Sequence, residues 1–249
     1  MVDRKSVRVN GIELCFELEG AGEPLLLLHG MGGCAEDWRH FGRERLAREY
    51  QLVAVDARGH GRSTNDSDRL THRQCALDLV ALLDALGIAR CRAIGLSMGG
   101  NTLLHVAMRA PERLSAMVLV SAIACYGEEA RAIMRAVSLD DHPEAEWREM
   151  RGRHRHGDAQ IRAIWRAMRA LGDDREDMAF GAAELARIGA RTLVVYGDRD
   201  PICPVERGVE LYRGIPRAEL WVVPGGGHGP IALEQAEPFA QKVLAFLRG

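Results

Sequence analysis

A chain of 249 residues, 47% hydrophobic and 27% charged, with a formal net charge of −2 at pH 7, is sized for one large core. Its near-neutral charge gives no electrostatic case for nucleic acid or an acidic membrane surface. No apolar run approaches the roughly 20 residues that span a bilayer, and Asp3-Arg4-Lys5 leads into an alternating pattern rather than an apolar signal core.

Residues 7–9 and 12–18 alternate as strands around Asn10-Gly11, a strong hairpin signal. Residues 25–28 form a short continuous apolar run, the pattern of a strand buried on both faces. A helix is predicted over 38–49, a second buried strand over 52–55, and a helix over 71–86 that stops at Gly87. The apolar run 90–94 then meets Gly95-Leu96-Ser97-Met98-Gly99-Gly100, and a helix over 98–110 ends at Pro111. A further strand is predicted over 117–120. Residues 122–189 hold no convincing strand but have amphipathic stretches at 130–137, 144–150, 160–171 and 178–188. Strands resume at 192–196 and 219–223, followed by a terminal helix over 234–247. Strand–helix alternation of this kind implies an α/β fold, a parallel sheet with helices on both faces. The block 122–189 reads as a helical insertion into a core made of 1–121 and 190–249.

The Gly-x-Ser-x-Gly motif sets Ser97 on a sharp strand-to-helix turn, its hydroxyl above the sheet end. Met98 opens the next helix, so its backbone N–H has no intrahelical partner and is free to face an oxygen near Ser97. Ligands of open parallel sheets bind beyond the carboxyl ends of the strands. The other strand ends lead into His29-Gly30-Met31-Gly32-Gly33, into Asp56-Ala57-Arg58-Gly59-His60-Gly61, into Asp198-Arg199-Asp200, and into Gly225-Gly226-Gly227-His228. A serine, an acid and a histidine thus fall on one edge, in that chain order.

These residues resemble the α/β-hydrolase superfamily over essentially the whole chain. The resemblance implies an eight-stranded, mostly parallel sheet whose first hairpin supplies the antiparallel strand. It implies a small helical cap after the sixth strand, with Ser97 as nucleophile, Asp200 as acid and His228 as base. Met31 matches the loop residue whose N–H completes an oxyanion hole with Met98. A serine needs a base to take its proton, and an imidazole accepts and returns one near neutral pH. Asp198 competes with Asp200, but the Gly-Asp-x-Asp pattern of that family sets the acid second and leaves Asp198 to brace the turn. His29 and His60 read as structural histidines.

Trp147, Trp165, Met168 and Ile202 are candidate pocket residues, with Ile164 beside them, although packing of the cap onto the sheet competes for the cap members. The basic run Arg151-Gly152-Arg153-His154-Arg155-His156 is either an anion attractor or a solvated helix end. Six scattered cysteines form no Cys-x-x-Cys pair and read as reduced thiols of a cytoplasmic protein, with Cys34 worth following because it succeeds the glycine loop. The reading is therefore a metal- and cofactor-independent serine hydrolase of a small-molecule ester, lactone or thioester, monomeric or a homodimer. The rivals are an enol-lactonase, a carbon–carbon bond hydrolase of ring-cleavage products, a lyase or cyclase, and a non-catalytic binder on the same fold.

Overall fold

The computed structural model describes residues 2–67 and 69–249, and Met1 and Asp68 lie outside the described residues. Eight strands form one sheet: β1 (Asp3–Val9), β2 (Ile12–Glu19), β3 (Glu23–Leu28), β4 (Tyr50–Val55), β5 (Cys91–Leu96), β6 (Leu114–Val120), β7 (Arg191–Gly197) and β8 (Ala218–Val223). Their spatial order is β1-β2-β4-β3-β5-β6-β7-β8. β2 runs antiparallel to both β1 and β4, and the remaining pairs are parallel. The chain steps outward from β3 to β4 and then returns to the other side of β3 with β5. That reversal opens a crevice between the ends of β3 and β5, where the Gly30 loop and Ser97 sit.

The continuous apolar runs are buried on both sides, as parallel strands covered by helices must be. One face packs α2 (His72–Ala85), α3 (Met98–Arg109) and α8 (Val205–Gly214) through Leu79, Leu82, Leu103, Leu104 and Leu211. The other face packs a 3₁₀ turn at Ala35–His40, the short α1 (Arg43–Leu46) and α9 (Ala236–Arg248) through Trp38, Leu46, Phe239 and Val243. Between β6 and β7 lie α4 (Glu128–Arg135), α5 (Glu144–Arg153), α6 (Gly157–Leu171) and α7 (Ala182–Leu185), with a separate small core around Trp147, Ile161 and Trp165. Among the described residues, no helix is long and apolar enough to cross a membrane.

Two sequence expectations need correction, and one helix was missed. The helix over 38–49 is broken, because Gly42 takes φ 80, a left-handed conformation that ends one turn and starts another. A Cβ there would also lie 2.9 Å from the Ala236 carbonyl oxygen. The stretch 178–188 is helical only at Ala182–Leu185, since Ala179 is drawn into a bridge with Cys125 and Phe180 N–H donates to the Ala124 carbonyl at 3.1 Å. Helix α8 was not anticipated at all. It buries only Gly208 and Leu211, too thin an apolar stripe to stand out.

Buried ion pairs tie the loops to this frame. The Arg58 guanidinium grips Asp78 with two hydrogen bonds of 2.8 Å, and both residues are buried. Buried Glu17 accepts from Arg43, Arg4 and Arg62, and Arg62 also donates to Asp56 at 2.9 Å. Removing one partner of such a pair strands a charge in the interior. Asp78→Ala should therefore cost about 3–5 kcal/mol, read as a lower urea midpoint with an unchanged m-value. A loss under about 1 kcal/mol would mean that water reaches Arg58 freely.

Candidate active site

Ser97 is the hinge between β5 and α3, at φ 50 and ψ −113. A non-glycine residue there stores backbone strain, and neighbouring glycines make the turn possible. A Cβ on Gly95 would lie 2.5 Å from the Gly100 nitrogen, and one on Gly99 would lie 2.4 Å from the Leu28 carbonyl oxygen. The turn is pinned from both sides. Ser97 N–H donates to the Val120 carbonyl at 2.7 Å, and its own carbonyl accepts from Asn101 N–H at 2.9 Å.

Two further loops converge on Ser97. His228, from the loop after β8, has Nε2 2.9 Å from Ser97 Oγ and Nδ1 2.8 Å from Asp200 Oδ2. The second oxygen of Asp200 accepts from the N–H groups of Ile202 at 2.9 Å and Cys203 at 2.8 Å. Burial works to raise the Asp200 pKa, but His228 and those two N–H groups outweigh it and hold the carboxyl below its ordinary value. An ionised carboxylate fixes the imidazole with Nδ1–H toward Asp200, which leaves Nε2 to accept the Ser97 proton. Asp198 takes the bracing part, since its carboxylate accepts Gly225 N–H at 2.6 Å.

Asp200, Cys203 and His228 also sit close enough together to suggest a metal site. The donor set does not suit one. Its donor atoms are already engaged: His228 Nδ1 bonds to Asp200 Oδ2, and the other carboxylate oxygen accepts two backbone N–H groups. Cys34 is no nucleophile, for burial and the charges of Asp37 and Asp56 push its thiol up to about 12.

The Gly30 loop is braced from below by three buried histidines. His29 donates from Nδ1 to the Gly30 carbonyl at 2.7 Å and accepts Ala57 N–H at 3.0 Å. His154 reaches across from the inserted helices. It donates from Nε2 to the Gly32 carbonyl at 3.1 Å and accepts Gly61 N–H on Nδ1 at 2.9 Å. His60 stands between them, ring centroids 5.1 Å from His29 and 5.8 Å from His154. Both expected roles for His29 and His60 are thus structural in geometry. In the basic run that contains His154 the charges are paired: exposed Arg151 with Asp158 and Glu144, and half-buried Arg153 with buried Asp37 and with Glu149.

A cavity of about 340 Å³ opens over Ser97 and His228 and is lined mainly by apolar side chains, among them Met31, Met98, Met168 and Ile202. The two expected tryptophans are not in its wall. Trp147 and Trp165 pack edge-to-face at 4.6 Å within the core of the inserted helices, and His142 stacks on Trp165. Large aromatics gain most by burial against each other, so they hold those helices together instead of lining the cavity. Several polar residues of the site gave no sequence signal. Ser121, also at positive φ, accepts Gly229 N–H on its hydroxyl at 3.2 Å and holds the His228 loop. His72, Asn101 and Tyr126 share the cavity wall.

Residues 25–242 match the family model described as alpha/beta hydrolase family. The chain belongs to the alpha/beta hydrolase family. It is an enzyme of that fold, and it is 33% identical to the dihydrolipoyllysine-residue acetyltransferase component of an acetoin cleaving system from Pseudomonas putida, over 94% of this chain and 66% of that relative's length. It is 30% identical to a 2-hydroxy-6-oxononadienedioate/2-hydroxy-6-oxononatrienedioate hydrolase from the same species, over 92% of this chain and 89% of the relative. Among solved structures, a thermophilic esterase from Thermogutta terrifontis matches with a TM-score of 0.78 and 26% identity, covering 99% of this hydrolase and 98% of that chain.

The His154 contact in this brace predicts a loss of stability in acid. Burial, then the neighbouring His29, lowers the His154 pKa from an ordinary 6.5 to about 4. Between those values the unfolded chain binds a proton that the folded chain refuses, so stability falls as pH drops from about 6.5 to about 4. His154→Gln should remove about 1.4 kcal/mol per pH unit of that slope, measured by urea unfolding at several pH values. An unchanged slope would assign the proton to other groups.

Proposed function

We propose that the protein is a serine hydrolase that cleaves a small-molecule carboxylic ester, lactone or thioester through an acyl-enzyme on Ser97. The observation that carries this reading is the relay of 2.9 Å from Ser97 Oγ to His228 Nε2 and 2.8 Å from His228 Nδ1 to Asp200. Ser97 Oγ attacks the carbonyl carbon while its proton passes to His228 Nε2. Asp200 stabilises the imidazolium, which then protonates the departing alcohol or thiol. Water attacks the acyl-enzyme with its proton going to the same nitrogen, and the acid leaves as Ser97 regains its hydrogen. The N–H groups of Met31 and Met98 form the oxyanion hole, each worth about 10²–10³ in rate. The helices within 122–189 act as a cap that keeps bulk water from the cavity.

A carbon–carbon bond hydrolase is the second reading, supported by the name of the 30% identical relative. That name specifies a dicarboxylate. Among the described residues, no lysine or arginine lines the cavity over Ser97, so a dianion would enter without a counter-ion, and a neutral ester fits better.

A fluorophosphonate probe should label wild-type protein at Ser97, located by peptide mass spectrometry, and Ser97→Ala should not be labelled. With p-nitrophenyl esters, Ser97→Ala should lose about 10⁴–10⁶ in kcat and Asp200→Asn about 10⁴. Folded protein that neither takes the probe nor turns over any ester, lactone or thioester would sink this reading.

A further inference from the structure

The cavity wall carries a second polar cluster, separate from the Ser97 relay, and hydrogen counting there leaves one donor without an acceptor. His72 Nδ1–H donates to Asp177 at 2.6 Å, so Nε2 is the lone-pair nitrogen. Asp177 also accepts the backbone N–H groups of His72 and Arg73, at 2.7 and 3.1 Å. Burial raises the Asp177 pKa, but His72 and these N–H groups more than offset it and hold the carboxylate at about 2. Asn101 Oδ1 accepts Ile123 N–H at 2.9 Å, which fixes the amide so that Nδ2 faces the cluster. Nδ2 donates to the Tyr126 hydroxyl oxygen at 3.0 Å. His72 Nε2 is approached by both the Tyr126 hydroxyl at 3.3 Å and Asn101 Nδ2 at 3.4 Å.

Three hydrogens, two from Asn101 and one from Tyr126, therefore meet two internal acceptors, Tyr126 Oη and His72 Nε2. One hydrogen is surplus. His72 and Asn101 are almost wholly buried, at 0% and 2% exposure, whereas Tyr126 is half-buried. When Asn101 Nδ2 gives its second hydrogen to His72 Nε2, the Tyr126 hydroxyl, itself in the cavity wall, is left as the donor for a molecule there. Burial pushes the phenol pKa far up, so it stays a neutral donor. The charges behind it are the Asp177 carboxylate and the Arg131 guanidinium. Arg131 lies over the Tyr126 ring, with Nε–H given to the Tyr126 carbonyl and Nη1 to the carbonyls of Leu171, Gly172 and Asp174.

We propose that His72, Asn101 and Tyr126 form a substrate-recognition subsite for an uncharged oxygen acceptor, such as a ketone, ether or second ester carbonyl, carried by the substrate away from its scissile bond. This rests on the proposed function and narrows its substrate class. A neutral acceptor uses the surplus hydrogen. A carboxylate would find no lysine or arginine lining the wall among the described residues, and a plain alkyl chain would leave the hydroxyl unpaired on closing. The Asn101 amide sets the orientation of the tyrosine, and the His72–Asp177 pair anchors it where the chain leaves and rejoins the core.

The test is calorimetric binding to Ser97→Ala, which holds ester substrates without turnover, and to Ser97→Ala/Tyr126→Phe. The probes are ethyl 4-oxopentanoate, ethyl 5-oxohexanoate, their alkyl counterparts ethyl pentanoate and ethyl hexanoate, and the monoanion monoethyl succinate. At least one oxo ester should bind Ser97→Ala about fivefold more tightly than its alkyl counterpart, with the monoanion weakest, and the double variant should bring that ratio to about one. Each ratio is taken within one protein, so a partly misfolded fraction does not alter it. Oxo esters that bind no better than alkyl esters, a ratio that survives Tyr126→Phe, or tightest binding of the monoanion would each overturn the subsite. Fluorophosphonate labelling of wild-type protein reads the catalytic proposal separately. A labelled enzyme without the Tyr126-dependent ratio overturns the subsite alone. An unlabelled protein that keeps the ratio overturns the catalytic proposal and supports the subsite.

Discussion

The turn between β5 and α3 constrains everything around it. A serine held at positive φ costs on the order of 1–3 kcal/mol, and it persists only because its surroundings leave no alternative. The strand before Ser97 is locked in the middle of the sheet, between β3 and β6. The helix after it starts so close to both strands that Gly95 and Gly99 admit no Cβ. Hydrogen bonds from the Ser97 N–H and to its carbonyl take up both backbone groups. With the position of Ser97 fixed in this way, the other loops need only reach it.

They do so under different kinds of restraint. The His228 loop is held by small contacts: the Ser121 hydroxyl, the Asp198 carboxylate and the Asp200–His228 bond. The Gly30 loop is held by His29 and His154, each with a tautomer set by one donated and one accepted hydrogen bond, and His60 packs between them. His154 brings the inserted helices into that brace, so the geometry around Met31 depends on a residue more than a hundred positions downstream. Around these loops, buried carboxylates and guanidiniums tie the hairpin and the loops after β3 and β4 to one frame. Buried pairs add little net stability, yet they are costly to break, and so they fix a loop more firmly than they stabilise the fold.

The cavity that results is uneven. Its walls are mostly apolar, in keeping with a small uncharged organic substrate, and its polar groups come in two sets. One set is the serine relay at the sheet edge. The other gathers where the chain leaves β6 and returns toward β7. There Tyr126 and Asp177 are brought together by the Cys125–Ala179 bridge and meet the N-terminus of α2. The same junction that joins the inserted helices to the core thus also shapes the far side of the site.

Much of this was legible in the chain. Strands buried on both faces must be continuous apolar runs, and so β3 to β7 announced themselves. A nucleophile turn needs Gly-x-Ser-x-Gly, and the residues after each strand had to lie on one edge, which brought Ser97, Asp200 and His228 into view together. Met31 and Met98 were expected as oxyanion-hole residues and Met168 and Ile202 as pocket residues, and all four line the cavity. The sequence could not say that Trp147 and Trp165 would pack on each other and not on the cavity, because both positions satisfy the same apolar pattern. It could not separate the broken helix at Gly42 from a continuous one, since the conformation of a glycine depends on what lies against it. Nor could it pair His72 with Asp177 or aim His154 at Gly32, because hydrogen bonds between side chains so far apart in sequence leave no periodicity to read. Local covalent geometry and burial determined the sheet and the edge that carries Ser97, Asp200 and His228. The polar contacts across distant segments, which shape the cavity, were decided only when the chain folded.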